Sequence, residues 1–306
     1  MMGSKRQRKA PGKFVQTPQG KVYYEASGPR NGQHLILIHG LTVPCFVWDP
    51  VFKALSREGF RVIRYDLFGR GFSDRPRATF DAALFEAQLA GLLETLNISR
   101  PVHLAGVSMG GAIASGFTLN RNTLVDKLIL VNPAGLIPRP RFPQNLKLLP
   151  FSGEIYMKCF GKKHILNTLD RDFATARPTR EYKNRMKTQM AVPGFGRALL
   201  STLRSGILHD MAPVYKQLGK TGHPVMVIWG TKDRILPPDN LARLKQLLGN
   251  TACFPLQQAG HLPFHDRPND VLHMFKLFLT SDNFNKTKLF QRPTQPSEFE
   301  EDKSPK

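Results

Sequence analysis

Acidic side chains are scarce in this 306-residue chain, where 23 Asp and Glu face 44 Lys and Arg for a net charge of +21. Such an imbalance brings nucleic acid and anionic membrane into consideration as partners. Cysteine is nearly absent. Cys45, Cys159 and Cys253 are odd in number, far apart and in no metal-ligand spacing, which argues against a disulfide framework and a zinc site and fits a reducing compartment. No run of 18 apolar residues is present, so no membrane-spanning helix is expected. Lys5, Arg6, Arg8 and Lys9 are followed by a polar, Pro/Gly-bearing segment rather than by the apolar stretch of a secretory signal, and Gly3 stands one place too late for myristoylation. The expected location is cytoplasmic, with peripheral membrane contact open. What the chain does contain is 41% hydrophobic residues, which excludes a fully disordered protein.

Short apolar runs at His34–Ile38, Arg61–Tyr65, Val102–Ala105, Leu128–Val131, Val225–Trp229 and Ala252–Leu256 read as buried strands. Helical patterns separate them: Leu84, Phe85, Leu89, Leu92, Leu93 and Leu96 share one face between Asp81 and Leu96, and further helices are expected at 109–120, 238–248 and 268–280. The alternation predicts an α/β architecture, a mostly parallel doubly wound sheet covered on both faces. Between about Pro138 and Pro213 it stops, and a Pro-punctuated, basic, helical-looking stretch reads as an inserted cap. The expected domains are a basic flexible arm at 1–20, a core at 21–137 and 213–282, a helical cap at 138–212, and a disordered tail at 283–306.

Gly106-Val107-Ser108-Met109-Gly110 directly follows one expected strand and opens a helix. A G-x-S-x-G segment in that context is a nucleophile elbow: small residues permit a sharp, strained turn that projects the serine hydroxyl above the sheet. Serine needs a base and an orienting acid. In the chain order Ser, acid, His, Asp233 follows the Val225–Trp229 run and His261 follows the next one, and catalytic groups at the C-terminal ends of parallel strands converge. Asp239 and Asp266 compete as acids but read as helix starts or caps, and Asn132, after the Leu128–Val131 run, cannot carry the charge. His265 competes as base. His39 reads as a brace for the loop His39-Gly40-Leu41-Thr42. Backbone amides of Leu41 and Met109 are the candidate oxyanion donors.

With His39-Gly40, the segment Tyr65-Asp66-Leu67-Phe68-Gly69-Arg70-Gly71-Phe72-Ser73, the elbow, and the Asp233 and His261 segments, the chain resembles the α/β-hydrolase superfamily over roughly residues 19–280. Within it, the chain is similar to the capped, cofactor-free branch of esterases, monoacylglycerol lipase-like enzymes and C–C bond hydrolases. The resemblance implies an acyl-enzyme on Ser108, His261 as base and then acid, no cofactor or metal, and a structural rather than catalytic part for Asp66 and Ser73. Serine at 108 departs from the aspartate of epoxide hydrolases and dehalogenases. Met109 departs from the tryptophan of proline iminopeptidase-like enzymes, and Leu41–Phe46 departs from the Gly/Pro-rich loop of C–C hydrolases.

Hydrolysis of a carboxylic ester with a hydrophobic acyl group is therefore the expected function. The alternatives are C–C hydrolysis of a vinylogous diketone and, in a different class, a catalytically idle binding protein of the same fold. Phe46, Trp48, Phe142 and Phe195 are candidate pocket residues, with Met109, Leu148, Phe160 and Leu203 beside them. The positive charge is localised: residues 1–21 hold six cations and no acid, and residues 138–212 hold fourteen cations and five acids. No nucleic-acid motif accompanies this charge, so nucleic acid is not expected, and an anionic membrane or an anionic substrate meeting the arm and cap is the remaining candidate.

Overall fold

The computed structural model describes residues 10–141, 143–249 and 251–281. Eight strands form one sheet in the order β1-β2-β4-β3-β5-β6-β7-β8, where β1 is Lys13–Thr17, β2 Gly20–Ser27, β3 His34–Ile38, β4 Arg61–Tyr65, β5 Val102–Val107, β6 Val125–Val131, β7 Val225–Gly230 and β8 Ala252–Leu256. From β4 to β8 every pairing is parallel, and β1–β2 and β2–β4 are antiparallel. All six apolar runs are strands. Successive side chains along a strand point to opposite faces, so Ile36 and Ile38 join one buried cluster while Leu35 and Leu37 join another. Helices Ala82–Thr95, Met109–Asn120, Ala212–Leu218 and Asp239–Leu248 cover the first face, and Asp49–Arg57 and Pro268–Thr280 cover the second. The sheet is thus doubly wound, as an α/β chain with long parallel crossovers must be.

The antiparallel edge departs from expectation, for neither β1 nor β2 is among the expected strands. Residues 13–17, expected within a flexible arm, form the edge strand β1, which pairs with β2 from Lys13 opposite Tyr24 to Thr17 opposite Gly20. An antiparallel edge hairpin is solvated on one side, so it shows polar alternation instead of a continuous apolar run. Arm residues 1–9 and the expected tail at 283–306 lie outside the described residues.

Between β6 and helix Ala212–Leu218 the chain leaves the sheet and builds a helical layer over the C-terminal ends of the strands. This layer contains helices Ser152–Tyr156, Lys162–Thr168, Arg180–Met190 and Phe195–Arg204. Its neck is stitched where Ile137 N–H donates to Leu208 O (3.1 Å) and Met211 N–H donates to Gly135 O (2.9 Å), with an Arg139–Asp210 ion pair outside.

Candidate active site

Ser108 stands at the junction of β5 and helix Met109–Asn120 with φ 56° and ψ −122°, backbone angles that a non-glycine residue adopts only under constraint. The constraint is visible. Ser108 N–H donates to Val131 O (3.0 Å), and Ser108 O accepts from Gly111 and Ala134 N–H, each at 2.9 Å. Close packing enforces the glycines of the motif: a Cβ at Gly106 would lie 2.2 Å from Gly110 O, and one at Gly110 would lie 2.3 Å from Ile38 O. These contacts hold the turn against β3, β5 and β6. The helix that starts at Met109 turns its unpaired N–H groups and positive dipole end toward the serine.

Asp233, beyond the end of β7, is held on both oxygens. Its Oδ1 accepts from Ile235 N–H (2.7 Å) and Leu236 N–H (3.0 Å), and its Oδ2 lies 2.7 Å from His261 Nδ1. Burial raises its pKa, but His261 and the two amides more than offset this and hold the carboxyl below the usual range. With Nδ1 engaged, Nε2 is the ring nitrogen left for chemistry, and His261 and Ser108 line the same cavity of about 190 Å³. Burial alone would lower the imidazole pKa, yet the charge and hydrogen bond of Asp233, with Asp172 beyond, raise it above its ordinary 6.5.

The rival residues have other work. Asn132 accepts from Gly230 N–H (2.8 Å) through Oδ1 and donates to Gly260 O (2.9 Å) and His261 O (3.0 Å) through Nδ2, tying the His261 loop to β7. Asp239 opens helix Asp239–Leu248. Asp266 ends the short helix Pro263–Asp266 without capping it, and its carboxylate gathers the N–H groups of Gly260, Ala174, Thr175 and Ala176, joining the His261 loop to the cap. His265 contacts Val47 O through Nε2 (2.8 Å) among Phe173, Tyr182 and Phe264. His39 accepts Leu67 N–H at Nε2 (2.9 Å), so its Nδ1 donates to Gly40 O (2.8 Å), and burial lowers its pKa to about 3. It is a neutral brace.

Two residues to which the sequence patterns assign no role hold the loop carrying Leu41. Arg70 is fully buried and donates to Leu41 O (2.9 Å), Phe68 O (3.1 Å) and Thr202 Oγ1 (3.0 Å) of helix Phe195–Arg204, with its guanidinium over the Phe85 ring. Burial lowers its pKa to about 9, so it stays charged at neutral pH. Gln189, from helix Arg180–Met190, donates to Thr42 O (2.7 Å) and accepts from Gly71 N–H (3.1 Å). Asp66 and Ser73 shape the same region: Asp66 accepts from Cys45 and Phe72 N–H, and Ser73 donates to Asp66 O.

The described aromatic residues expected to line the pocket are elsewhere. Trp48 is fully buried and stacks on Phe264, because its short helical turn faces the second core cluster. Phe46 lies under Arg185 and lines a separate cavity that the charged side chains of Glu25, Asp49 and Arg64 also border. Phe195 packs inside the cap, Phe160 is exposed, and Phe142 falls outside the described residues. Leu148 and Leu203 line an adjoining cavity instead. The wall around Ser108 is aliphatic: Leu41, Val43, Val47, Val107, Ile137, Ile165, Leu169, Leu208, Ile235, Leu236 and Leu262, with Thr42, Thr168 and Asp172 as its other polar side chains.

Asp172 is the residue of this wall with chemical consequence. Burial, offset in part by His261, raises its pKa to about 6, and its own negative charge helps to raise that of His261. If neutral His261 is the base, kcat/KM rises with pH through an apparent pKa above the ordinary imidazole value. Asp172→Asn removes a negative charge and moves that acid limb to lower pH. A pH–rate profile checks both, and a limb that stays in place in the variant would contradict the coupling.

The model of a family with the alpha/beta hydrolase fold matches residues 33–268. The chain belongs to that family. Among α/β hydrolases it is 30% identical to a 2-hydroxy-6-oxononadienedioate/2-hydroxy-6-oxononatrienedioate hydrolase of Burkholderia vietnamiensis, over 79% of this chain and 84% of that one. It is 25% identical to Lipase 1 of Psychrobacter immobilis, over 84% of this chain and 80% of that one. A solved α/β-hydrolase structure, a bacterial membrane phospholipase A, superposes with a TM-score of 0.73 at 25% identity, covering 88% of this chain and 85% of that one.

Proposed function

We propose that the protein is a serine hydrolase that cleaves carboxylic esters of hydrophobic acyl groups through an acyl-enzyme on Ser108. The observation that carries this is the cavity: an elbow serine and a histidine oriented by an aspartate with a buried side chain share one small chamber walled by aliphatic side chains. His261 Nε2 takes the Ser108 proton as Oγ attacks the ester carbonyl, and Asp233 keeps the ring in the Nδ1–H tautomer and stabilises the imidazolium. The Leu41 and Met109 amides receive the charge that develops on the carbonyl oxygen. Collapse expels the alcohol with the proton returned by His261, and water repeats the sequence to release the acid. Lipases among the relatives accord with an ester substrate, and the Burkholderia relative makes C–C hydrolysis the reading to test against it.

Comparison of kcat/KM across p-nitrophenyl esters of increasing chain length and a vinylogous diketone separates the two. Medium or long acyl esters should exceed the acetate, each buried methylene contributing up to about 0.8 kcal/mol, or roughly fourfold. Diketone turnover above that of every ester would overturn the assignment.

A further inference from the structure

Six large hydrophobic residues are exposed among those described, and five of them, Leu146, Leu149, Phe151, Ile155 and Phe160, fall within fifteen positions of the cap. Scattered apolar residues on a surface are ordinary, but this concentration is not. Phe151 is 84% exposed, Ile155 61% and Phe160 60%. Phe151 also has φ 67°, a left-handed backbone that is costly for an aromatic residue and here places its ring in solvent.

The segment is pinned from beneath. Arg204 donates to Leu148 O (2.6 Å) and Leu149 O (2.8 Å) and pairs with Glu154 (2.8 Å). Glu154 is the only acid between Asp126 and Asp170, so its pairing leaves the surroundings cationic, with Lys158, Lys162 and Lys163 all exposed. Beneath the patch lies a largely apolar cavity of about 360 Å³, bordered by Leu148, Tyr156 and Met157, which shares Leu41, Thr42, Ile165 and Thr168 with the wall around Ser108.

We infer that residues 146–163 of the cap form a docking surface for an anionic lipid bilayer, with Phe151, Ile155 and Phe160 entering the interface and the lysines meeting the headgroups. Apolar side chains ringed by cations are the composition that holds a protein in the plane of a membrane, where each cation near an anionic surface adds about fivefold to binding. The adjoining cavities then lead from that interface to Ser108, so an acyl chain passes to the serine without crossing water. This second part rests on the ester-hydrolase reading, and the docking itself does not.

Cosedimentation of the full chain with phosphatidylglycerol-containing and pure phosphatidylcholine vesicles tests the docking, alongside turnover of a soluble short-chain ester. The wild type should bind the anionic vesicles. Phe151→Ser/Ile155→Ser/Phe160→Ser should lose at least tenfold, and Lys158→Glu/Lys162→Glu/Lys163→Glu, which removes three cations and adds three repelled anions, should lose more than about 100-fold, while both keep soluble-ester turnover. Ser108→Ala should bind like the wild type, which separates failure of docking from failure of the catalytic reading. Equal binding to both vesicle types would overturn the inference. So would full binding by both triple variants with loss only on deletion of residues 1–9.

Discussion

Replacement of Ser108 by alanine is expected to lower kcat for ester hydrolysis by about 10⁴- to 10⁶-fold, the loss seen when the nucleophile of a serine triad is removed. The fold should be unaffected. Alanine meets the same steric demand at φ 56° as serine, and the hydrogen bonds that fix the elbow run through backbone atoms of Ser108, Val131, Gly111 and Ala134. Circular dichroism and the thermal midpoint should therefore match the wild type. Ser108→Gly should be equally inactive but more stable by about 1 kcal/mol, because glycine relieves the strained backbone. An alanine variant that keeps more than a hundredth of the activity would remove Ser108 from the chemistry.

The second large effect concerns Arg70. Arg70→Met should destabilise the protein by about 3–5 kcal/mol, since it strips the buried Leu41 and Phe68 carbonyls of their donor and each unsatisfied group costs about 1–3 kcal/mol. For a chain of 306 residues that is a fall of roughly 5–8 °C in thermal midpoint. Leu41 O lies in the Leu41–Thr42 peptide, next to the one that carries the Leu41 N–H, so freeing it should also loosen that N–H, with kcat lower by up to about 10²-fold at a temperature where the variant remains folded. Arg70→Lys, which retains a charge but loses the fork of donors, should lie between. Thermal melts and kcat measured together check this. A normal kcat in a destabilised Arg70→Met protein would show that the arginine braces the fold but not the oxyanion loop.

Legibility from sequence followed the kind of signal each feature leaves. The six central strands are continuous apolar runs because both faces of a parallel sheet are covered, and the elbow declares itself through glycines that allow approaches such as Gly110 to Ile38 O. Strand β1 was hidden because its pairing with β2 needs no apolar run: Lys13, Gln16 and Thr17 serve an edge as well as a loop. The pairing of Asp233 with His261 agrees with the chain order of the motif, whereas Asn132, set aside for want of charge, proves to join the two loops through its amide.

The pocket wall was the least legible part. Aromatic residues near the Leu41 loop were reasonable candidates, yet Trp48 and Phe46 turn away from the serine, and which side of a short helical turn faces a core depends on the packing around it. Asp172 and Asp170 are two residues apart and indistinguishable in composition. Only the folded cap shows that Asp172 enters the serine chamber while Asp170 lies exposed and pairs with Lys183. Arg70 likewise looks like a surface cation until its guanidinium is seen to have neutral oxygens around it and no exposure.

The central claim is that Ser108 is an activated nucleophile, and covalent labelling of the folded full-length protein with a fluorophosphonate tests it most directly. Intact mass should show a single adduct and peptide mapping should place it on Ser108, with labelling fast in the wild type, strongly slowed in His261→Ala and absent in Ser108→Ala. No adduct on folded protein, or an adduct on another residue, would contradict the account.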